Sequence, residues 1–141
     1  MKRPSALATA TAKANSTTAE RLRARVEHHV LLVERSILRA ARVIPEGYWT
    51  AYGEIGLAAT GNARSARAVA RCASRTRDFP NAWRVIHADG SIPDGWGGGG
   101  RGPAECRERL EAEGVRFYDG RADPSKKILA DELELLLAAE A

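Results

Sequence analysis

The sequence predicts a helix-rich α/β domain organised around a helix-turn-helix, and three observations carry that expectation. Residues 44–77 read as turn, short helix, tight turn and second helix. The second helix bears Arg64, Arg67, Arg71 and Arg75; intervals of three, four and four place them on one side of a 3.6-residue helix. Around this unit, the apolar patterning supplies a long helix before it and a short strand, a glycine-rich loop and two further helices after it.

Residues 1–15 are Ala, Thr and Lys with little to bury, and are expected as a disordered basic tail able to add weak phosphate contacts. Residues 17–43 carry the apolar stripe Val26, Val30, Leu31, Val33, Ile37, Leu38 and Ala41 between charges, a helix pattern. Ile44-Pro45-Glu46-Gly47 ends that helix and turns the chain. A short helix spans residues 52–59, with Gly61 as its C-terminal stop. The arginine helix spans about 64–75, and its Ala66, Val69, Ala70 and Ala73 are small enough to pack close to a neighbouring helix.

After a connection at 78–81, Trp83-Arg84-Val85-Ile86 reads as a strand and Ala88-Asp89-Gly90-Ser91 as a hairpin-type turn. Gly95-Trp96-Gly97-Gly98-Gly99-Gly100 has neither the spacing nor the strand-to-helix setting of a nucleotide-phosphate loop. Pro103 opens a helix that Gly114 closes. Val115-Arg116-Phe117 reads as a strand. Residues 125–141 read as a final amphipathic helix with Ile128, Leu129, Leu133, Leu136 and Leu137 as its apolar positions.

At 141 residues the chain is one domain with tails. Its net charge of +4 is uneven: residues 1–80 hold 14 Lys/Arg against 6 Asp/Glu, and residues 81–141 hold 8 against 12. A half-chain at +8 that contains the arginine helix suits a polyanion. Arginine dominates the cations, which favours phosphate and base-edge contacts. Cys72 and Cys106 have no metal-ligand spacing, and His28, His29 and His87 do not complete one. A reduced cytoplasmic setting is expected, with Cys72 a buried structural thiol. There is no apolar run of membrane-spanning length, and the N-terminus lacks the apolar centre of a signal peptide. Nothing resembles paired catalytic carboxylates or a Ser-His arrangement, which counts against an enzyme built on those groups, and no cofactor is expected.

The chain resembles the DNA-binding domain of O6-alkylguanine-DNA alkyltransferases over about residues 43–117. Ile44-Pro45-x-Gly47 with Thr50-Ala51-Tyr52-Gly53-Glu54-Ile55 is similar to the family's entry motif. Gly61-Asn62 with Ser65-Ala66-Arg67-Ala68-Val69 is similar to its recognition helix. Arg84-Val85-Ile86 with Asp89-Gly90, then Trp96-Gly97-Gly98-Gly99, then Leu110-x-x-Glu113-Gly114-Val115 follow in the family's order. The implied fold is a winged helix-turn-helix over residues 16–120 with a small hairpin; the C-terminal helical extension at 121–141 lies outside the resemblance.

One departure bears on activity. The catalytic family has Pro-Cys-His-Arg, whose cysteine takes the alkyl group; here Asn81-Ala82-Trp83 precedes Arg84. Alanine has no lone pair for attack, and without imidazole there is no base to make a thiolate. The resemblance is therefore to the alkyltransferase-like proteins, which bind O6-alkylguanine without repairing it and flag it for nucleotide excision repair.

On that resemblance Arg67 would insert into the DNA stack, Tyr52 would crowd the target phosphate, and Arg64 and Arg71 would contact phosphates or the groove. Trp96 and Gly97 on the loop, with Trp83, Arg84 and Ala82, would form the base pocket, with either Ala82 or Trp83 at its floor. Glu113 matches the glutamate beside the family's catalytic histidine and, with no histidine here, reads as a fold-supporting residue. The implied partners are double-stranded DNA containing O6-alkylguanine and nucleotide excision repair proteins, bound by a monomer with no membrane association. A general or regulatory winged-helix DNA binder that has lost the base pocket is the other reading. The altered Asn81-Ala82-Trp83 favours it, and the retained Tyr52, Arg67 and Trp96 oppose it.

Overall fold

The computed structural model describes residues 6–140. Its elements are α1 (Ala6–Arg42), β1 (Thr50–Ala51), α2 (Tyr52–Thr60), α3 (Ala66–Arg75), β2 (Val85–Ile86), α4 (Pro103–Ala112), β3 (Phe117–Tyr118), β4 (Arg121–Ala122) and α5 (Ala130–Ala139). Short 3-10 turns occupy Ala63–Ser65, Ala82–Arg84 and Pro124–Lys126. Two compact units are present, Met1–Val33 and Glu34–Ala141.

The described part of the first unit is helix alone. It begins at Ala6, so residues 6–15, expected in the tail, are helical backbone, while residues 1–5 lie outside the described residues. With no second element in its unit to pack on, much of the anticipated stripe stays in solvent: Val26 is 61% exposed and Val30 46%, and Leu31 is exposed too. Burial of the stripe begins with Ile37 and Ala41 in the second unit.

The second unit is built around Trp49-Thr50-Ala51. β1 runs parallel to β2, with Thr50 beside Val85 and Ala51 beside Ile86. On the other side Trp49 N donates to Lys126 O at 3.0 Å and Ile128 N to Trp49 O at 2.7 Å. Thr50 is fully buried, and its hydroxyl donates to Ile128 O at 2.7 Å, so its polar atom is satisfied. The Trp49 indole N–H donates to Asp123 O at 2.8 Å. Residues 121–141 are thus woven into the core: Ile128 and Leu133 are buried, and Ala130 N donates to Glu54 Oε2 at 3.2 Å, tying α5 to α2. The boundary anticipated at residue 120 falls inside the β3–β4 hairpin. Ile128 and Leu129 precede α5 and are not part of it.

The helix-turn-helix forms as its sequence dictates. Gly61 takes a left-handed φ of 75°, and its N–H closes α2 on Leu57 O at 2.8 Å. Asn62 Oδ1 accepts Arg64 N at 2.9 Å and starts the next turn. Gly56 sits where the two helices cross; a Cβ there would lie 2.8 Å from Ser65 Cβ.

Two strand expectations are corrected. Ala82–Arg84 is a 3-10 turn, so Trp83 and Arg84 are not strand residues. The hairpin is β3–β4, closed by Asp119 (φ 50°) and Gly120 (φ 76°), the two left-handed residues that suit a two-residue hairpin turn. The Ala88–Ser91 turn does close, with His87 N on Ser91 O at 3.0 Å, but it leads only to a single bridge between Ser91 and Arg121.

Candidate nucleic-acid interface

α3 buries Val69 and Cys72 and turns Arg67, Arg71 and Arg75 to solvent, and Arg64, placed by the 3-10 turn before α3 and not by the helix, is exposed as well. Among the described residues none of these four arginines, nor Arg77, forms an ion pair. Five unneutralised guanidiniums on one short segment make an anion-seeking surface. Ala66 packs against α2, with its Cβ 3.9 Å from where a Cβ on Gly53 would stand; Ala66, Ala70 and Ala73, with Arg67 and Ser74, also line a cavity of about 920 Å³. That volume lies within the ~300–1,000 Å³ of small-ligand pockets.

Tyr52 and Gly53 at the start of α2, with His87 and Ala88 after β2, also line the cavity. Pro93, Gly95, Trp96, Gly97 and Gly98 supply the loop side, and Phe79, Ala82 and Val85 belong to the lining too. The Tyr52 hydroxyl has no hydrogen-bond partner among the described residues. Burial, then the nearby Cys106, push its pKa up to about 12. It therefore remains a proton donor at neutral pH.

Ala82, not Trp83, lines the cavity. Asn81 decides this. It adopts a left-handed φ of 53°, and its Nδ2 donates to Ala41 O at 3.0 Å and Arg42 O at 3.3 Å, anchoring the turn to the end of α1. Successive residues of a 3-10 turn point about a third of a turn apart. With Ala82 toward the cavity, Trp83 and Arg84 are carried elsewhere, which corrects their assignment to the base pocket. The Trp83 indole N–H donates to Glu113 Oε2 at 2.8 Å, and the guanidiniums of Arg109 and Arg84 lie 4.7 and 5.1 Å from its ring centre.

Arg84 holds the same carboxylate through Nε at 2.9 Å and Nη2 at 2.8 Å, and donates through Nη1 to Ile44 O at 2.8 Å. Gly47 N also donates to Glu113, at 3.0 Å. Burial by itself would raise the Glu113 carboxyl. Hydrogen bonds from Arg84, Gly47 and Trp83, with the Arg84 charge, outweigh it and hold Glu113 below the usual carboxylate range. Glu113 is thus not left without its histidine's counterpart, because the Trp83 indole supplies a donor.

Trp96 is only 6% exposed and belongs to the core cluster with Trp49, Ile86 and Leu110, so it is a buried wall rather than a mobile loop residue. Its indole N–H donates to Ala82 O at 3.2 Å. Of the glycines beside it, Gly98 has no room for a side chain without a shift of the Trp96 ring or Ala82. A Cβ on Gly98 would lie 2.6 Å from Trp96 Cζ2 and 2.8 Å from Ala82 Cβ, and one on Gly99 would fall on the Glu105 carboxylate. Cys106 lies behind this layer with its thiol on Trp83 O at 3.4 Å, and burial pushes its pKa up to about 12, an inert thiol. Among the described residues no His/Cys/Asp/Glu group is placed to hold a metal, and no helix is long and apolar enough to cross a membrane.

Of the residues the sequence singled out, the structure brings Tyr52, Arg67, Trp96, Gly97 and Ala82 around one cavity, and leaves Arg64 and Arg71 exposed and outside its lining. Phe79, Arg77 and His87, which the sequence did not single out, line the same cavity. Phe79 was legible as the one large apolar residue in the 76–81 connection; the other two carry no local signal.

A helix-turn-helix whose arginine helix flanks an apolar cavity defines a class of DNA-binding domain. Residues 33–115 match the family described as 6-O-methylguanine DNA methyltransferase, DNA binding domain, and the chain belongs to that family. Within it the chain is of the alkyltransferase-like type. Its fold matches the crystal structure of S. pombe Atl1 in complex with damaged DNA containing O6-carboxymethylguanine, at 27% identity and a TM-score of 0.56, over 68% of this chain and 94% of that one. No curated protein matches the chain.

Proposed function

We propose that the protein binds double-stranded DNA, rotates an O6-alkylguanine out of the stack into the cavity, and holds it without taking the alkyl group, so marking the lesion for nucleotide excision repair. The observation that carries this reading is the cavity itself, lined by Arg67, by Tyr52 with its unpartnered hydroxyl, and by Ala82 in place of a nucleophile. S. pombe Atl1, similar in fold, is seen on DNA containing O6-carboxymethylguanine, which supports the same partner class. Extruding a nucleotide costs a few kcal/mol, less where pairing is already damaged. An aromatic wall such as Trp96 returns about 1–3 kcal/mol per base. The Arg67 guanidinium is planar, so it can stack in the vacated gap and donate hydrogen bonds at once.

The test is fluorescence anisotropy at one salt concentration on two duplexes that differ by a single O6-methylguanine. The modified duplex is expected to bind more tightly, and Arg67→Ala to erase that preference. Equal affinity of the wild type for both duplexes would refute lesion sensing and leave a general DNA binder.

Arg64 and Arg71 lie outside the cavity and are expected to act through phosphates. Arg64→Ala and Arg71→Ala should each weaken both duplexes alike and reduce the slope of log K against log salt by about 1. A variant that changed lesion preference with an unchanged slope would contradict that role.

A further inference from the structure

Resting on that reading, we propose that His87 is a further DNA-contacting residue, which with Tyr52 clasps a backbone phosphate of the rotated nucleotide. The two side chains come from distant parts of the chain and are brought together by the parallel pairing of β1 with β2. Ala51 lies beside Ile86, so Tyr52 and His87 are the residues that directly follow the two paired strands. Their ring centres are 6.3 Å apart with planes inclined by 59°, and both line the cavity.

The backbone of His87 is fixed, with its N–H on Ser91 O at 3.0 Å and its carbonyl accepting Gly90 N at 2.9 Å. The imidazole has no hydrogen bond or ion pair among the described residues. The nearby Asp89 carboxylate does not claim it: Oδ1 accepts from Ser91 N at 2.9 Å and Ser91 Oγ at 2.6 Å, and Oδ2 lies 3.7 Å from Arg121 Nε. Lys127, whose Nζ donates to Ala88 O at 3.0 Å, adds positive charge at the same rim.

The phenol O–H and an imidazole N–H are two donors without acceptors, and their complement is a group that only accepts. A phosphodiester oxygen is such a group. The cavity's other lining favours this assignment over a contact to the base. Phe79, Val85, Pro93 and Trp96 are apolar and suit a base face, which leaves the polar rim for the backbone.

The test uses the same two duplexes, each also made with a neutral methylphosphonate at the phosphate on either side of the modified position. His87→Ala is expected to weaken the O6-methylguanine duplex about tenfold, the worth of one charge-assisted hydrogen bond, with little effect on the unmodified duplex. At one of the two methylphosphonate positions the wild type should lose at least as much, since Tyr52 shares that phosphate, and His87→Ala should add no further loss on that duplex. If wild-type lesion preference stands but His87→Ala binds as tightly as the wild type, the His87 assignment falls alone. It falls also if the variant remains fully sensitive to both methylphosphonates. If the wild type shows no lesion preference, the lesion reading and the His87 assignment fall together.

Discussion

Glu113→Ala is expected to destabilise the second unit by about 3 kcal/mol, the cost of breaking a buried ion pair by removing one partner. The carboxylate side chain is 10% exposed and its Arg84 partner 12%. Removing it strands the Arg84 guanidinium, the Trp83 indole N–H and the Gly47 amide, all of which donate to it. The residues tied together are the turn after α1, the end of the 3-10 turn and the end of α4, so the loss is global. Thermal unfolding should show a midpoint lower by on the order of 10 °C.

The pH dependence has a definite sign. The folded-state pKa of Glu113 is depressed, so its contribution is fully present above the unfolded carboxylate value of ~4.3 and is lost as pH falls through the lower folded value. The wild type should therefore lose stability below about pH 4, and the Glu113→Ala protein should lose less over the same range. Equal acid sensitivity of the two proteins would show that Glu113 is not a controlling carboxylate.

Intact-protein mass spectrometry after incubation with O6-methylguanine DNA is expected to show no alkyl uptake by the wild type. It should show none by Ala82→Cys, and clear uptake by the double variant Ala82→Cys/Trp83→His. In the wild type the only thiols are Cys72 and Cys106, both buried, both with pKa raised first by desolvation, and neither lining the cavity. A cysteine at 82 would stand in the cavity but lack a base. Histidine at 83 restores one. Glu113 already accepts a ring N–H at that position from Trp83 at 2.8 Å, so one imidazole nitrogen would be held and the other left free to take the thiol proton. The alkyl carbon would then form a bond to sulfur while its bond to guanine O6 breaks; the electron pair stays on the guanine, which takes up a proton equivalent to the one the imidazole removed from the thiol. A folded double variant that binds the lesion duplex yet gains no mass would show that loss of the Cys-His pair is not what separates this chain from a transferase.

Much of this protein was legible in its sequence because the signals are local. Gly61-Asn62 stops one helix and starts the next through a left-handed φ and a side-chain cap, both properties of those residue types. The arginine spacing determines one exposed cationic face on α3 wherever that helix packs. Asp119-Gly120 was an equally local hairpin signal, more telling than the Asp89-Gly90 turn that drew attention instead.

What the tertiary structure alone decided concerns residues whose direction depends on distant partners. Ala82 faces the cavity while Trp83 and Arg84 turn to Glu113, because Asn81 is anchored on carbonyls forty residues earlier in the chain and the carboxylate arrives from the end of α4. The stripe of α1 is buried only from Ile37 onward, since periodicity reports a face but not whether anything covers it. Residues 121–141 join the core because Thr50 and Trp49 take their partners there. His87 meets Tyr52 only through the β1–β2 register, a pairing between segments thirty-five positions apart that no spacing along the chain encodes.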